Sequence, residues 1–300
     1  MSAAAGIERG ADWGDYVWLP QRERSRIYPV AREFFRAIHA ATSAAAGHPM
    51  GAFIRDRKRD LLMWRLKYGF YALLGRSRKK EEYGRRIAHE LRILGEAQVF
   101  FGVSRLKPGQ LVEIMNRYGS DKGRGRHNYA LFYEMLFERD SERYARVFEL
   151  GIGSNNVDVP SNMGADGIPG ASLRGWREYF TKADIFGADI DSRILFEEDR
   201  IKTGFVDQTK PDSVEQLFCS FGGEFDLIVD DGLHQSQANR TFFECAFKQL
   251  KIGGLYIIED LARAQKDSYK AFLTGYDAAI LDIPHQRNYE DNCLAVVAKS

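Results

Sequence analysis

The pattern of apolar and polar positions divides the chain into two regions. From about Glu23 to Arg117, apolar residues recur at helical spacing in segments such as REFFRAIHAAT, and no strand pattern interrupts them. After Gly119, short apolar runs bounded by Gly and Asp alternate with helical segments. This alternation predicts an α/β domain with a parallel, doubly wound sheet, preceded by a helical N-terminal region.

The runs that predict strands are RVFEL, ADIFGADI, TGFVD, FDLIVD and GLYIIE, followed by a weaker strand near Ile280 and a last one in NCLAVVAK. Helices are predicted at Tyr129–Phe137 and Ala171–Thr181. We therefore place a helical region at residues 1–117 and the sheet domain at residues 118–300.

The charge of the chain is unevenly distributed. Over all 300 residues it is formally +1, but the first 100 residues hold 19 Lys and Arg against 11 Asp and Glu, and most of this excess lies between Arg55 and Arg86. A helix that packs its apolar stripe while its basic stems reach water accounts for the segment. Peripheral contact with an anionic membrane or a glycolipid is the alternative. Nucleic acid is not favoured, because no nucleic-acid module accompanies the segment.

The cysteines and the N-terminus indicate the compartment. Cys219, Cys245 and Cys293 are odd in number and form no CxxC pair, which favours free thiols in a reducing compartment over disulfides or zinc. The first 18 residues carry four charges where a secretory signal needs an apolar run, and no apolar stretch is long enough to span a membrane. We expect a soluble, cytoplasmic protein.

The end of the first strand has the features of a cofactor site. Glu149 lies at the end of this strand, and Gly151 and Gly153 lie in the turn after it, where glycine lets the backbone approach a ligand closely. A dinucleotide site would add a third glycine and run directly into a helix, but here a long loop leads to the helix at Ala171. This argues against NAD and favours S-adenosylmethionine, an adenosyl cofactor without pyrophosphate.

Acidic residues also follow the next two strands. Asp189 ends the second strand, where it can accept hydrogen bonds from ribose hydroxyls, and Asp207 and Gln208 follow the third strand beside the expected adenine. A single Asp after a strand is also typical of an ordinary turn. Three acidic residues after successive strands favour the cofactor interpretation.

A second group of carboxylates follows the fourth and fifth strands. Asp230 and Asp231 come after one, and Glu259 and Asp260 come after the other, so a parallel sheet brings them to one rim. Carboxylates in one cleft repel each other unless a positive charge lies between them, and a hard cation such as Mg²⁺ supplies it. We predict Asp231, Glu259 and Asp260 as ligands and leave Asp230 a supporting role.

His234 is the predicted general base. It follows Asp231 by three residues in the same strand-end loop, and an ordinary imidazole pKa near 6.5 makes it a proton acceptor at pH 7. A nearby metal ion would acidify an alcohol that otherwise would not ionise. The resulting oxygen nucleophile would attack the sulfonium methyl group.

Six motifs occur in order across nearly half the chain: Tyr118–Gly123 with His127 and Tyr129, Glu149–Gly153, Gly170–Trp176, Gly187–Asp191, Asp230–His234 and Ile258–Leu261. With them the chain resembles the metal-dependent sugar O-methyltransferases of macrolide biosynthesis, of the mycinamicin and macrocin type. The resemblance implies a class I methyltransferase fold, Rossmann-like with a seven-stranded doubly wound sheet.

The resemblance also implies roles for individual residues. It supports His234 as the base, with Mg²⁺ or Mn²⁺ at Asp231, Glu259 and Asp260, and it makes the segment YGSDKG a lid over the cofactor. His127 and Tyr129 are lesser candidates of the same region. The residues expected at the cofactor are Ser120, Lys122, Glu149, Gly151, Gly153, Ser172, Asp189, Asp207, Gln208 and Asp231.

The expected function is Mg²⁺-dependent transfer of the methyl group of S-adenosylmethionine to a sugar hydroxyl. The acceptor class is a glycosylated natural product, a glycolipid or an oligosaccharide, and residues 1–117 are expected to build its pocket and a homo-oligomer interface. One alternative is a metal-dependent enzyme for small catechol-type diols. The other is a non-catalytic cofactor-binding scaffold, against which the intact set of carboxylates and histidine argues.

Overall fold

The computed structural model describes residues 109–137, 141–283, 285, 288 and 290–299. Most of the predicted N-terminal helical region, including the basic segment 55–86, lies outside these residues. The domain boundary at residues 117 and 118 therefore stays a prediction. In the part of the chain that the structure describes, no helix is both long and apolar enough to cross a membrane.

The centre of the domain is a sheet of eight strands in the order β3-β4-β2-β1-β5-β6-β8-β7. The strands from β4 to β6 are parallel, whereas β3, and β8 between β6 and β7, pair antiparallel. This confirms the predicted doubly wound sheet, and the two-residue β3 is the strand beyond the seven expected. The strands are β1 Arg146–Leu150, β2 Asp184–Asp189, β3 Glu197–Glu198, β4 Ile201–Phe205, β5 Phe225–Asp230, β6 Leu250–Ile258, β7 Asp277–Asp282 and β8 Cys293–Ala298.

Six α-helices accompany the sheet in the described ranges. The helix predicted at Ala171–Thr181 ends two residues earlier, because the backbone leaves the helical region at Phe180, whose φ and ψ are −92° and 79°. The helix at Tyr129–Phe137 has the predicted bounds. The helices are α1 Gln110–Tyr118, α2 Tyr129–Phe137, α3 Ala171–Tyr179, α4 Pro211–Phe221, α5 Ser236–Ala246 and α6 Lys266–Phe272.

The helices form a core on each face of the sheet. Along β1 the side chains alternate, so that Val147 packs with α1, α2 and α3, whereas Phe148 and Leu150 pack with α4 and α5. The first core contains an aromatic cluster that includes Tyr133 and Trp176. Because both faces of the central strands are covered, these strands read as continuous apolar runs in the sequence.

Candidate active site

The carboxyl ends of three neighbouring strands meet at one level. The register pairs Leu150 with Asp230 and Asp230 with Ile258, so the turns after β1, β5 and β6 lie side by side. Side chains two apart on a strand share a face. Glu149, Asp231 and Glu259 therefore face the side of the sheet that α2 and α3 cover, as Val147, Val229 and Ile257 do.

Three of the predicted catalytic and metal-binding side chains form a cluster. One possible ligand atom from each of Asp231, His234 and Asp260 lies within 4.8 Å of the other two, and His234 Nε2 lies 4.0 Å from Asp231 Oδ1. Two carboxylates and an imidazole can hold a divalent cation, so the donor set fits the predicted metal. Glu259, the third predicted ligand, is outside this group of three.

The backbone is strained at two members of the cluster. His234 and Asp260 have φ angles of 55° and 52°, in the left-handed region that side chains other than glycine rarely adopt. Such conformations cost free energy and are concentrated at functional sites. Here they aim an imidazole and a carboxylate into the same space.

Lys122 lies between the carboxylates. The side chain is 2% exposed, and its ammonium contacts Asp231 Oδ2, Glu259 Oε2 at 2.6 Å and Glu149 Oε1 at 3.3 Å. Burial alone would lower the pKa of Lys122, but the three carboxylates hold it well above its ordinary value. The positive charge that the sequence argument assigned to a metal ion is therefore supplied in part by the protein itself.

Two tyrosines one turn apart on α2 support the adjacent carboxylates of the β6 turn. Tyr129 donates to Asp260 Oδ1 at 2.7 Å, and Tyr133 donates to Glu259 Oε1 at 2.5 Å. Both rings are buried, and His127 stacks on Tyr129 and lies 3.6 Å from Asp260. Helix α2 thus fixes the orientation of two consecutive acidic side chains.

Burial changes the proton affinity of this group. It lowers the pKa of His234 below the usual imidazole value and so favours the neutral ring. It raises the pKa of Asp231 and of Glu259, and Lys122 opposes that change in both. His234 Nδ1 is buried and has no hydrogen-bond partner among the described residues.

The cluster opens into a cavity of about 340 Å³. The turn after β1 lines this cavity. Gly151, with φ of 79°, lies so close to the β5 turn that a Cβ atom there would be 1.9 Å from the carbonyl oxygen of Asp231. His234 and Asp260 also line the cavity. All ten residues predicted at the cofactor line it: Ser120, Lys122, Glu149, Gly151, Gly153, Ser172, Asp189, Asp207, Gln208 and Asp231.

Most acidic groups at the cofactor end already accept hydrogen bonds from the protein. Asp189 accepts from the backbone N–H of Ile152 and of Asp191, both at 3.0 Å, and Glu149 accepts from Ser172 at 2.7 Å and from Trp176. These bonds fix the β1 loop rather than leave the carboxylates open.

Beyond β4, Asp207 accepts from the backbone N–H and the hydroxyl of Thr209. Gln208 differs from the acidic residues. Its Oε1 accepts from the backbone of Leu233 at 2.7 Å, whereas its buried Nε2 has no partner within the described ranges. A free amide donor on the cavity wall suits an acceptor nitrogen of an adenine ring.

Two site residues have no role in the sequence argument. Tyr133 was unassigned, although its spacing from Tyr129 placed both hydroxyls on one face of α2. Asp291, just before β8, lines the cavity, and its Oδ1 is buried without a partner among the described residues. Asp230, left as a supporting residue, is buried on the opposite face, where it accepts from Tyr256 at 3.0 Å.

Comparison with known proteins gives sequence relatives, although no family model matches the chain. It is 36% identical over 170 residues to 8-demethyl-8-alpha-L-rhamnosyl tetracenomycin-C 2'-O-methyltransferase of Streptomyces olivaceus, covering 57% of this chain and 41% of that protein. It is 34% identical to demethylmacrocin O-methyltransferase of Streptomyces fradiae, with coverages of 65% and 50%. It is 32% identical to mycinamicin VI 2''-O-methyltransferase of Micromonospora griseorubida, with coverages of 84% and 55%.

The chain spans about half the length of the curated relatives it matches. Among solved structures it is similar to the MycE methyltransferase from the mycinamycin biosynthetic pathway in complex with Mg, SAH and mycinamycin VI, at 27% identity and a TM-score of 0.49 over 65% of this chain and 55% of that one. The predicted resemblance to O-methyltransferases of the mycinamicin and macrocin type is confirmed at the level of sequence.

Proposed function

We propose that the protein is an S-adenosylmethionine-dependent and Mg²⁺-dependent O-methyltransferase that acts on a sugar hydroxyl. The observation that carries this proposal is the placement of Asp231, His234 and Asp260 on the wall of the same cavity that the glycine turn after β1 forms. A cation site and a cofactor site in one cavity allow the methyl donor and an ionised hydroxyl to meet.

The cofactor end of the cavity supports S-adenosylmethionine. Gly151 and Gly153 line the cavity with positive φ angles, and Gln208 offers an amide donor without a partner in the described part of the chain. Glu149, Ser172 and Asp189 are fixed around the same space by their own hydrogen bonds. Their roles as cofactor contacts are part of the proposal.

The other end supports metal-assisted proton transfer. Asp231 and Asp260 would hold the cation with His234 beside it, and Glu259 stays a predicted third ligand. When bound, the cation polarises an acceptor hydroxyl and stabilises the negative charge that develops on its oxygen. His234, neutral because of its burial, accepts the hydroxyl proton at a ring nitrogen. The two strained backbone positions keep the imidazole and Asp260 oriented for this transfer.

The acceptor class is proposed from the relatives. Several are named as O-methyltransferases of glycosylated compounds, among them a rhamnosyl tetracenomycin enzyme and an L-olivosyl-oleandolide enzyme of Streptomyces antibioticus. Homo-oligomer formation, cytoplasmic location and peripheral contact with a membrane or glycolipid remain predictions, since they depend on residues outside those described or on the sequence alone.

The test is a methyl-transfer assay with labelled S-adenosylmethionine, offering rhamnosylated and macrolide acceptors beside a catechol. Transfer to the glycosylated acceptors in Mg²⁺ and its loss in chelator are expected. Asp231→Asn should lose the metal-stimulated rate. Asp226→Asn is the matched control, because Asp226 lies at the opposite end of β5, where it accepts from the backbone of Ala145 and Arg146.

Faster transfer to catechol than to the glycosylated acceptors would show that the acceptor is a small diol and not a sugar. A rate that is equal in chelator would refute the metal assignment. No turnover under any condition would favour a cofactor-binding scaffold.

A further inference from the structure

The ammonium of Lys122 holds together carboxylates that come from three separate strand ends. Glu149 lies near the end of β1, Asp231 follows β5 and Glu259 follows β6, and Lys122 contacts all three. Glu149 and Glu259 are each 1% exposed, so water does not separate their charges. Without a cation, such a group would be repelled apart.

The same contact connects two parts of the chain that are distant in sequence. Lys122 belongs to the segment YGSDKG, which the family resemblance implies to be a lid, and the segment is joined through it to the tips of the central strands. Ser120 and Gly123 on either side make short-range turn contacts, including a Gly123 N–H to Ser120 carbonyl bond of 3.3 Å. Among the described contacts of YGSDKG, the buried ion pairs from Lys122 to Asp231 and Glu259 are the ones that join this segment to the carboxylates after β5 and β6.

Asp231 is shared between the ammonium and the cation cluster. Its Oδ2 accepts from Lys122, whereas Oδ1 faces His234 Nε2. A divalent cation between Asp231 and Asp260 would therefore share a carboxylate with an ammonium, and the two positive charges would repel each other across it. The ammonium and the divalent cation compete for the same negative charge.

We propose that Lys122 is a positioning residue that acts as an internal stand-in cation: it keeps Glu149, Asp231 and Glu259 together before the metal binds, and it competes with the metal for Asp231. This inference rests on the proposed function for the identity of the metal. It accounts for a fully buried lysine in a glycine-flanked turn.

The test compares wild type with Lys122→Met, which keeps most of the stem and removes the charge. In chelator, Lys122→Met is expected to have a lower melting temperature than wild type, because three buried carboxylates lose their shared partner. Mg²⁺ should restore more of that temperature in the variant than it adds to wild type, since binding to the folded state stabilises by mass action. Calorimetric titration should show Mg²⁺ bound about tenfold more tightly by Lys122→Met.

Two further variants make the result specific. Lys122→Arg keeps the charge and should bind Mg²⁺ as wild type does. If Lys122→Met does not fold in chelator, Mg²⁺ binding is compared between Lys122→Arg and wild type. Lys251→Met removes a different ion pair, 2.8 Å to Asp226 at the far end of the sheet, and should lower the melting temperature equally with and without Mg²⁺.

An equal loss for Lys122→Met in both conditions, or weaker Mg²⁺ binding, would overturn the proposal. No effect of Mg²⁺ on any of the proteins would overturn it together with the metal assignment. The melting and titration measurements use neither cofactor nor acceptor. A failure of methyl transfer in the separate assay would therefore count against the proposed function and would leave the result for Lys122 unchanged.

Discussion

The two ends of the cavity use their acidic side chains in different ways. Behind the cofactor end, Asp191 accepts from Ser154, which lines the cavity, and from Asn156 and Arg193, each at 2.6 Å, and the lining carboxylates Glu149 and Asp189 also accept from protein donors. At the reaction end, Asp231 and Asp260 each accept from a protein donor at one oxygen, from Lys122 and from Tyr129, and one ligand atom of each lies within 4.8 Å of the other and of His234.

This difference separates residues that fix the shape of the cavity from residues that are expected to act in the chemical step. Carboxylates saturated by protein donors fix the loops that form the cavity, and replacing them should change binding geometry. Carboxylates and an imidazole held close by strained backbone keep capacity for an incoming ligand, and replacing them should change the chemical step.

His234→Ala should remove the chemical step while leaving the cofactor end intact. We expect kcat to fall by about 10²–10⁴, the usual contribution of a general base. Binding of S-adenosylhomocysteine, followed by calorimetry, should match that of wild type. If turnover is unchanged, His234 has no part in the mechanism.

Gly151→Ala should affect both ends, because the new Cβ atom would overlap the carbonyl of Asp231. We expect a loss of stability about 1–3 kcal/mol greater than in Gly164→Ala, together with weaker cofactor binding. Gly164 is the matched control: its φ of 77° is equally left-handed, but its Cβ atom would meet nothing within 4 Å. Equal melting temperatures for the two variants would show that the β1 and β5 turns can separate freely.

Asp191→Asn should change only the cofactor end. Hydrogen bonding to Arg193 and Ser154 lowers the pKa of Asp191, and the substitution removes that charge. We expect KM for S-adenosylmethionine to rise with little change in kcat. Asp158→Asn is the control, because Asp158 is the exposed partner of Arg193 and surface ion pairs contribute little.

The pH dependence of this loop follows from the same shift. A carboxyl whose pKa is lowered on folding stabilises the protein fully above its unfolded pKa, and this contribution is lost as the pH falls through the folded pKa. The melting temperature of wild type should therefore fall more steeply with decreasing pH than that of Asp191→Asn. Parallel acid profiles would contradict the role given to Asp191.

The sequence was sufficient for the strand ends. Apolar runs that stop at Asp189, Asp230 and Ile258 predicted where β2, β5 and β6 end, because a buried parallel strand leaves a continuous hydrophobic signal. Alternation along the strand turns Asp231 to the cavity and Asp230 to the opposite face, and the choice of Asp231 as a metal ligand stays a prediction. These features are local, so local patterns predict them.

The surroundings of Lys122 could not be predicted in the same way. A lysine between Asp and Gly in a turn is typical of an exposed position, and its partners lie 27, 109 and 137 positions away. Such long-range pairing depends on how α2 and the strand tips pack, which no single-segment pattern encodes. For the same reason the sequence placed Tyr133 in a helix but gave no indication that it holds Glu259.

The position of β8 has a consequence for how the chain acquires its fold during synthesis. This strand is made after β7 yet lies between β6 and β7, pairing antiparallel with both. Until residues 293–298 leave the ribosome, β6 presents an unpaired edge and β7 has no neighbour, and open edges invite association with other chains. A nascent chain arrested before Cys293 would therefore contain Asp231, His234 and Asp260 beside an unfinished sheet.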